Sequence, residues 1–116
     1  MPKGVFLAFS NSVSEDVDEE FNRWYDEVHG REVLGIPGVK SFRRFRLAPT
    51  QVMALDDASS RQYLAVYEVE TDDWDAFSQE FLSRFGDGRI TIDPELIQLD
   101  PMVLTMSFEE VTPETT

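Results

Sequence analysis

The chain has no cysteine and a single histidine, His29, and its 10 lysines and arginines are outnumbered by 23 aspartates and glutamates. Without cysteine there is no disulfide, no thiolate metal site and no cysteine nucleophile, which suits a reducing compartment. A formal net charge of -13 repels phosphate backbones and anionic headgroups, so neither nucleic acid nor a membrane is an expected partner. No apolar run is long enough to span a bilayer, and the opening MPKGVFLAFSNSV lacks the layout of a signal peptide. The expectation is a soluble, cytoplasmic protein. One histidine among scattered carboxylates gives no metal-ligand spacing, and nothing selects His29 as a haem ligand. GDGR follows a helical pattern instead of opening one, GIPG is a turn, and no serine sits in a nucleophile elbow. Neither a metal nor a cofactor is expected.

What is present points to a packed core. With 41% hydrophobic and 12% aromatic residues, the 116-residue chain is predicted to fold rather than stay disordered. Its length allows one domain, over residues 1–112, with a disordered tail at 113–116.

GVFLAFS, residues 4–10, reads as a buried strand, and NSVSED after it supplies a turn with Ser14 as N-cap. Val17, Phe21, Trp24, Tyr25 and Val28 recur at helical spacing, and Gly30 is the expected stop. REVLGIPG adds a brief turn before VKSFRRFRL, 39–47, the second strand. APTQVMALDDASS, 48–60, reads as a polar surface loop and RQYLAVYEVE, 61–70, as the third strand. TDDWDAFSQEFLSRFGDG is a second helix capped by Thr71 or Asp72, with a stripe of Trp74, Phe77, Phe81 and Phe85 ending at Gly86. DPELIQL suggests a short helical turn, and MVLTMSFEEV, 102–111, is the last strand. The order β-α-β-β-α-β predicts an α+β ferredoxin-like sandwich: four antiparallel strands with two helices on one face.

The strands are apolar on both sides. Val5, Leu7 and Phe9 oppose Phe6 and Ala8; Leu64 and Val66 oppose Tyr63, Ala65, Tyr67 and Val69; Met102, Leu104, Met106 and Phe108 oppose Val103 and Val111. Helices can cover one face only, so the other is expected to pack on a second copy in a two-fold homodimer.

EEFNRWYDEVHGREVLGIPGVKSFRRFRL, with QYLAVYEVE after it, resembles the dimeric α/β-barrel superfamily, in particular its EthD-like, stress-responsive and polyketide-cyclase-like members. The resemblance covers nearly the whole chain by element order. Its specific part is the helix ending in WY..VH, then P-G and an arginine-bearing strand. It implies the fold, and it implies an active-site role for the histidine at this helix end. It does not imply one activity, because the superfamily holds cyclases, isomerases, dehydratases, cofactor-free monooxygenases and haem enzymes.

On an ideal helix His29 lies beside Tyr25 at the edge of the apolar stripe, nearly in line with Asn22, and Asp26 is near enough to touch it. A histidine there can accept and return a proton, as enolisation, dehydration or cyclisation require. Tyr25, Tyr63 or Tyr67 can donate to an oxyanion, and Arg43 or Arg44 can orient a carboxylate or enolate. Trp24, Phe42 and Phe45 can line the faces of an aromatic ring. The candidates are therefore His29, Tyr25 and Arg44 for catalysis, and Trp24, Asn22, Arg43, Phe45, Tyr63 and Tyr67 for substrate binding. The plain alternatives stand beside them: His29 suits a helix C-terminus through the dipole alone, Trp24 and Tyr25 suit a core, and the arginines suit carboxylate partners. Three readings follow. One is a cofactor-independent lyase, cyclase or isomerase on a small aromatic or polyketide-like molecule. The others are a non-catalytic ligand-binding or stress-related dimer, and a cofactor-free monooxygenase.

Overall fold

The computed structural model describes residues 2–53 and 61–116. β1 (Lys3–Ser10), β2 (Val39–Arg46), β3 (Tyr63–Glu70) and β4 (Leu104–Glu109) form one sheet in the order β2-β3-β1-β4. All three pairings are antiparallel, with β1 and β3 central and β2 and β4 at the edges. Between β1 and β2 runs a helical segment of four consecutive pieces: a 3-10 turn (Glu15–Val17), α1 (Asp18–Trp24), a π turn (Tyr25–His29) and α2 (Gly30–Leu34). α3 (Trp74–Gly86) lies between β3 and β4. This is the β-α-β-β-α-β ferredoxin-like order, with the helices on one face. The expected polar loop over 48–60 lies partly outside the described residues.

The helices cover the face made by alternate residues Phe6, Ala8, Tyr63, Ala65, Tyr67 and Val69, all of them buried. Phe77 and Phe81 of α3 meet Phe6 at ring distances of 5.6 and 5.2 Å, and Phe21 of α1 meets Tyr63 at 5.3 Å. Phe21 and Tyr25 are 0% and 1% exposed. Burying such a ring is worth about 2 kcal/mol, roughly twice the worth of an N-cap. That difference explains how the segment starts without one: Ser14 is extended and its side chain caps nothing, contrary to expectation. Asp73, one or two residues after the expected Thr71 or Asp72, caps α3 by accepting from the Ala76 amide at 3.0 Å.

Gly30 does not stop the helix. Its φ of -60° is ordinary right-handed helix, and the chain runs on to Leu34. The absent side chain serves packing instead, since a Cβ at Gly30 would lie 2.5 Å from the Phe42 ring. The left-handed glycine of this connection is Gly38, at φ 96°. DPELIQL makes a single turn, in which Leu96 and Ile97 amides donate to the Asp93 carbonyl at 3.0 Å.

The opposite sheet face carries no helix among the described residues. Register places Val5, Leu7 and Phe9 beside Leu64 and Val66 on one side, and beside Phe108, Met106 and Leu104 on the other. Phe45, Leu104, Met106 and Phe108 there are 42–46% exposed. β4 departs from the expected two-sided burial: its other face shows exposed Thr105, Ser107 and Glu109, while Met102, Val103 and Val111 lie outside the strand.

Candidate functional site

The π turn decides the site. A strict helical period from Phe21 and Tyr25 predicts Val28 inside and His29 at the edge. One wider turn, closed by the Gly30 amide on the Tyr25 carbonyl, slips the phase by one residue. Val28 is consequently 42% exposed, whereas His29 is 6% exposed and shares the inner face with Gly30 and Val33. The slip also stacks Trp24 on the imidazole, five residues on, at 5.0 Å and 25°. Tyr25 meets the same ring edge-on at 4.9 Å and 75°.

His29 Nδ1 lies 2.8 Å from the carbonyl oxygen of Thr91, in the connection between α3 and β4. A carbonyl only accepts, so Nδ1 carries the proton and the neutral ring keeps its lone pair at Nε2. No hydrogen bond is made to Nε2 among the described residues. Glu32, one turn further along, accepts from the Thr91 amide at 2.9 Å and from the Thr91 hydroxyl at 2.8 Å. Its carboxylate stands 4.0 Å from Nδ1. Burial pulls the imidazole below its ordinary pKa of 6.5 and Arg44 adds to this, against the Thr91 carbonyl and Glu32, which raise it. His29 is therefore a neutral base at pH 7.

His29, Tyr25 and Val33 form one wall of a cavity of about 180 Å³ between the helices and the sheet. Phe6, Ala8, Tyr67 and Thr105 come from the sheet, Phe81 and Phe85 from α3, and Ile92, Ile97, Leu99, Met102 and Val103 from the connection after it. Phe85, Leu99 and Met102 are 39–62% exposed and mark the mouth. The Tyr67 and Tyr25 hydroxyls are 3.5 Å apart, and burial raises the pKa of each, so both stay neutral phenols able to donate.

The other candidates fall elsewhere. The Arg44 guanidinium lies over the Tyr25 ring at 4.4 Å, with Phe21 and Tyr63 at 5.4 and 5.2 Å, on a side of Tyr25 that is not cavity wall. It binds Asp26 at 3.2 Å, and its Nη2 is buried without a hydrogen-bond partner among the described residues. Asp26 thus serves Arg44, and the carboxylate beside the imidazole is Glu32, because the wide turn carries His29 past Asp26. Asn22 and Tyr63 form a separate polar cluster, in which the Tyr63 hydroxyl donates to Asp18 at 2.5 Å and Asn22 donates to Tyr63 at 3.3 Å. Arg43 and Phe45 lie on the uncovered sheet face, with the guanidinium 5.1 Å from the Phe45 ring. Trp24 touches the imidazole but not the cavity. Sequence reasoning missed Glu32 and Thr91. Thr91 carries no signal, and Glu32 is three residues after His29, a spacing that would have suggested it had the helix been followed past Gly30.

No group of three or more carboxylates or imidazoles among the described residues is arranged to hold a metal ion. No helix among them is long and apolar enough to cross a membrane.

Neither family models nor curated proteins return a match to this chain. Seven solved chains match it in structure. The crystal structure of HapK from Hahella chejuensis covers 97% of both chains with a TM-score of 0.63 at 14% identity. An ethyl tert-butyl ether d (EthD) family protein from Bacillus halodurans C-125 matches 96% of this chain and 100% of its own, with a TM-score of 0.49 at 13% identity. Likeness to HapK at 14% identity is likeness of fold.

Proposed function

We propose that the protein is a cofactor-independent acid–base catalyst of the lyase, cyclase or isomerase type, acting on a small aromatic or polyketide-like molecule in the cavity beside His29. The observation that carries this reading is a buried imidazole whose Nδ1–H is committed to the Thr91 carbonyl at 2.8 Å, in the wall of an otherwise mostly apolar hollow. A neutral imidazole held that way presents one basic nitrogen and cannot rotate it away.

In the proposed step, Nε2 takes a proton from a carbon next to a carbonyl. The electron pair of that C–H bond moves onto the carbonyl oxygen, and a Tyr25 or Tyr67 hydroxyl donates a hydrogen bond to the enolate. The imidazolium returns the proton to another carbon, giving an isomer, or to a departing hydroxyl, giving water and an alkene. While charged, the ring is stabilised by the Thr91 carbonyl and by Glu32, 4.0 Å away. Such placement of donors and base is the main source of rate in proton-abstraction sites.

The test needs no knowledge of the natural substrate. Phenylacetone in deuterium oxide exchanges its benzylic protons through the same enolisation, and NMR follows the loss of signal. Exchange catalysed by the wild-type protein and lost in His29→Gln is the expected result. Equal rates for the two proteins reject the acid–base role. The apolar lining favours one further reading, a non-catalytic carrier of a small ligand, which predicts binding of phenylacetone without accelerated exchange.

We further propose that the uncovered apolar sheet face pairs with that of a second copy, as in the dimeric α/β barrels. Val5, Leu7, Phe9, Leu64, Val66, Met106 and Phe108 adjoin one another in the sheet register, and an apolar face of this kind marks an interaction surface.

A further inference from the structure

We infer that the cavity is selective for an uncharged molecule of one aromatic ring with one hydrogen-bonding oxygen, an inference that rests on the cavity being the ligand site. Size sets the first limit. At about 180 Å³ the hollow is only slightly larger than the roughly 150 Å³ of an engineered apolar cavity that holds benzene. One ring with a short substituent matches that volume, whereas a fused polycycle would have to reach out through the mouth, so of the aromatic and polyketide-like substrates the single-ring kind is the better fit. Charge sets the second limit. Among the described residues no aspartate, glutamate, lysine or arginine lines the space, and the three titratable ones that do, His29, Tyr25 and Tyr67, are neutral at pH 7. An ion entering there would shed its water with no counter-charge to replace it. Shape sets the third. Phe6 and Tyr67 on the sheet and Phe81 on α3 give aromatic walls, and the imidazole with the phenols supplies the polar groups that would orient one oxygen. The mouth at Phe85, Leu99 and Met102 is itself apolar, which again disfavours ionic ligands.

The test measures binding of acetophenone, benzoate and 2-naphthol by calorimetry at pH 8. Acetophenone is expected to bind, with benzoate and 2-naphthol each weaker by about tenfold or more. Ala8→Leu, which fills the sheet-side wall, should abolish acetophenone binding, and Met102→Trp at the exposed mouth serves where Ala8→Leu does not fold. Benzoate or 2-naphthol binding as tightly as acetophenone overturns the ligand class. Acetophenone binding untouched by both substitutions overturns the location. These results are separable from the catalytic reading, since phenylacetone exchange that survives His29→Gln rejects acid–base chemistry while leaving the ligand class intact.

We infer separately that Glu32 is a positioning residue for the imidazole. It holds Thr91 through both the amide and the hydroxyl, at 2.9 and 2.8 Å, and Thr91 in turn accepts from His29 Nδ1. The carboxylate acts through this backbone carbonyl as second partners of catalytic histidines do, fixing tautomer and ring orientation. The readout is the ¹⁵N spectrum of the histidine ring across pH. The wild type should show the Nδ1–H tautomer alone, Glu32→Ala a mixture, and Glu32→Gln the original tautomer with a lower apparent pKa, because the charge is gone and the acceptor oxygen kept. An unchanged tautomer in a folded Glu32→Ala overturns the inference. Where Glu32→Ala does not fold, an unchanged titration in Glu32→Gln does so.

Discussion

Replacing Gly30 with alanine sets two effects of opposite sign against each other. In a helix interior alanine is favoured over glycine by about 1 kcal/mol, and Gly30, at φ -60°, is interior helix. The added methyl, however, would stand 2.5 and 2.6 Å from two carbons of the Phe42 ring and 2.9 Å from the Tyr25 carbonyl oxygen. Phe42 cannot simply swing aside, because its ring stacks on Tyr67 at 5.7 Å and 26°. Overpacking of this kind costs about 1–3 kcal/mol, so after the helix gain of about 1 kcal/mol the net loss should be about 0–2 kcal/mol. The assay is urea unfolding of Gly30→Ala, Phe42→Leu and the double variant. Shrinking Phe42 should recover about 1 kcal/mol of the Gly30→Ala loss, a coupling that the cycle measures directly. A stabilised Gly30→Ala would refute the contact. A loss that persists undiminished in the Phe42→Leu background would assign the need for glycine to the Tyr25 carbonyl instead of the ring.

Other expected outcomes concern the imidazole, a cap, the phenol pair and the open face. Burial lowers the His29 pKa below 6.5, so beneath pH 6.5 the unfolded chain binds the proton more readily than the folded one. Stability should therefore fall as pH drops below that point, by at most about 1.4 kcal/mol per unit, until the folded group itself protonates. Urea midpoints between pH 5 and 8 should show this slope in the wild type and not in His29→Gln; parallel curves would refute it. Asp73→Ala removes the one side-chain cap of α3 and should cost about 1 kcal/mol, read as a lower urea midpoint at unchanged slope. Tyr67→Phe loses a hydroxyl whose protein hydrogen bond is a long 3.5 Å, so its stability cost should stay near 1 kcal/mol, that is about one ordinary hydrogen bond. Phenylacetone exchange should nevertheless drop on the order of a hundredfold if that hydroxyl donates to the enolate. Met106→Glu puts a charge on the uncovered face and should turn a dimer into a monomer by light scattering, with circular dichroism unchanged; a monomeric wild type would reject the pairing.

Strand and helix positions were readable because they depend on local pattern. The alternation in YLAVYEVE and the spacing of Trp74, Phe77 and Phe81 specify their elements whatever lies around them. The order of those elements then restricts the topology to the sandwich observed. Gly30 misled because glycine after a helical stretch more often marks its end, and only the ring of Phe42, twelve residues on, shows why a hydrogen is needed there. The faces of β2 were legible only in alternation. Arg43 and Arg44 look equivalent in RRF, yet one lies on the open face and the other over the Tyr25 ring.

By itself the chain determined where most of its secondary elements lie, their order, the apolar character of both faces of β1 and β3 and the rarity of groups able to do chemistry. The folded structure decided which way the single imidazole turns, since a phase slip of one residue at Tyr25–His29 exchanges Val28 for His29 on the inner face. It also decided that Thr91, 62 residues away, would fix the protonated nitrogen, and that a hollow would remain beside it. Periodicity assumes a constant turn, and a cavity is the space that side chains from distant segments fail to fill. Neither is a property of any local stretch of sequence.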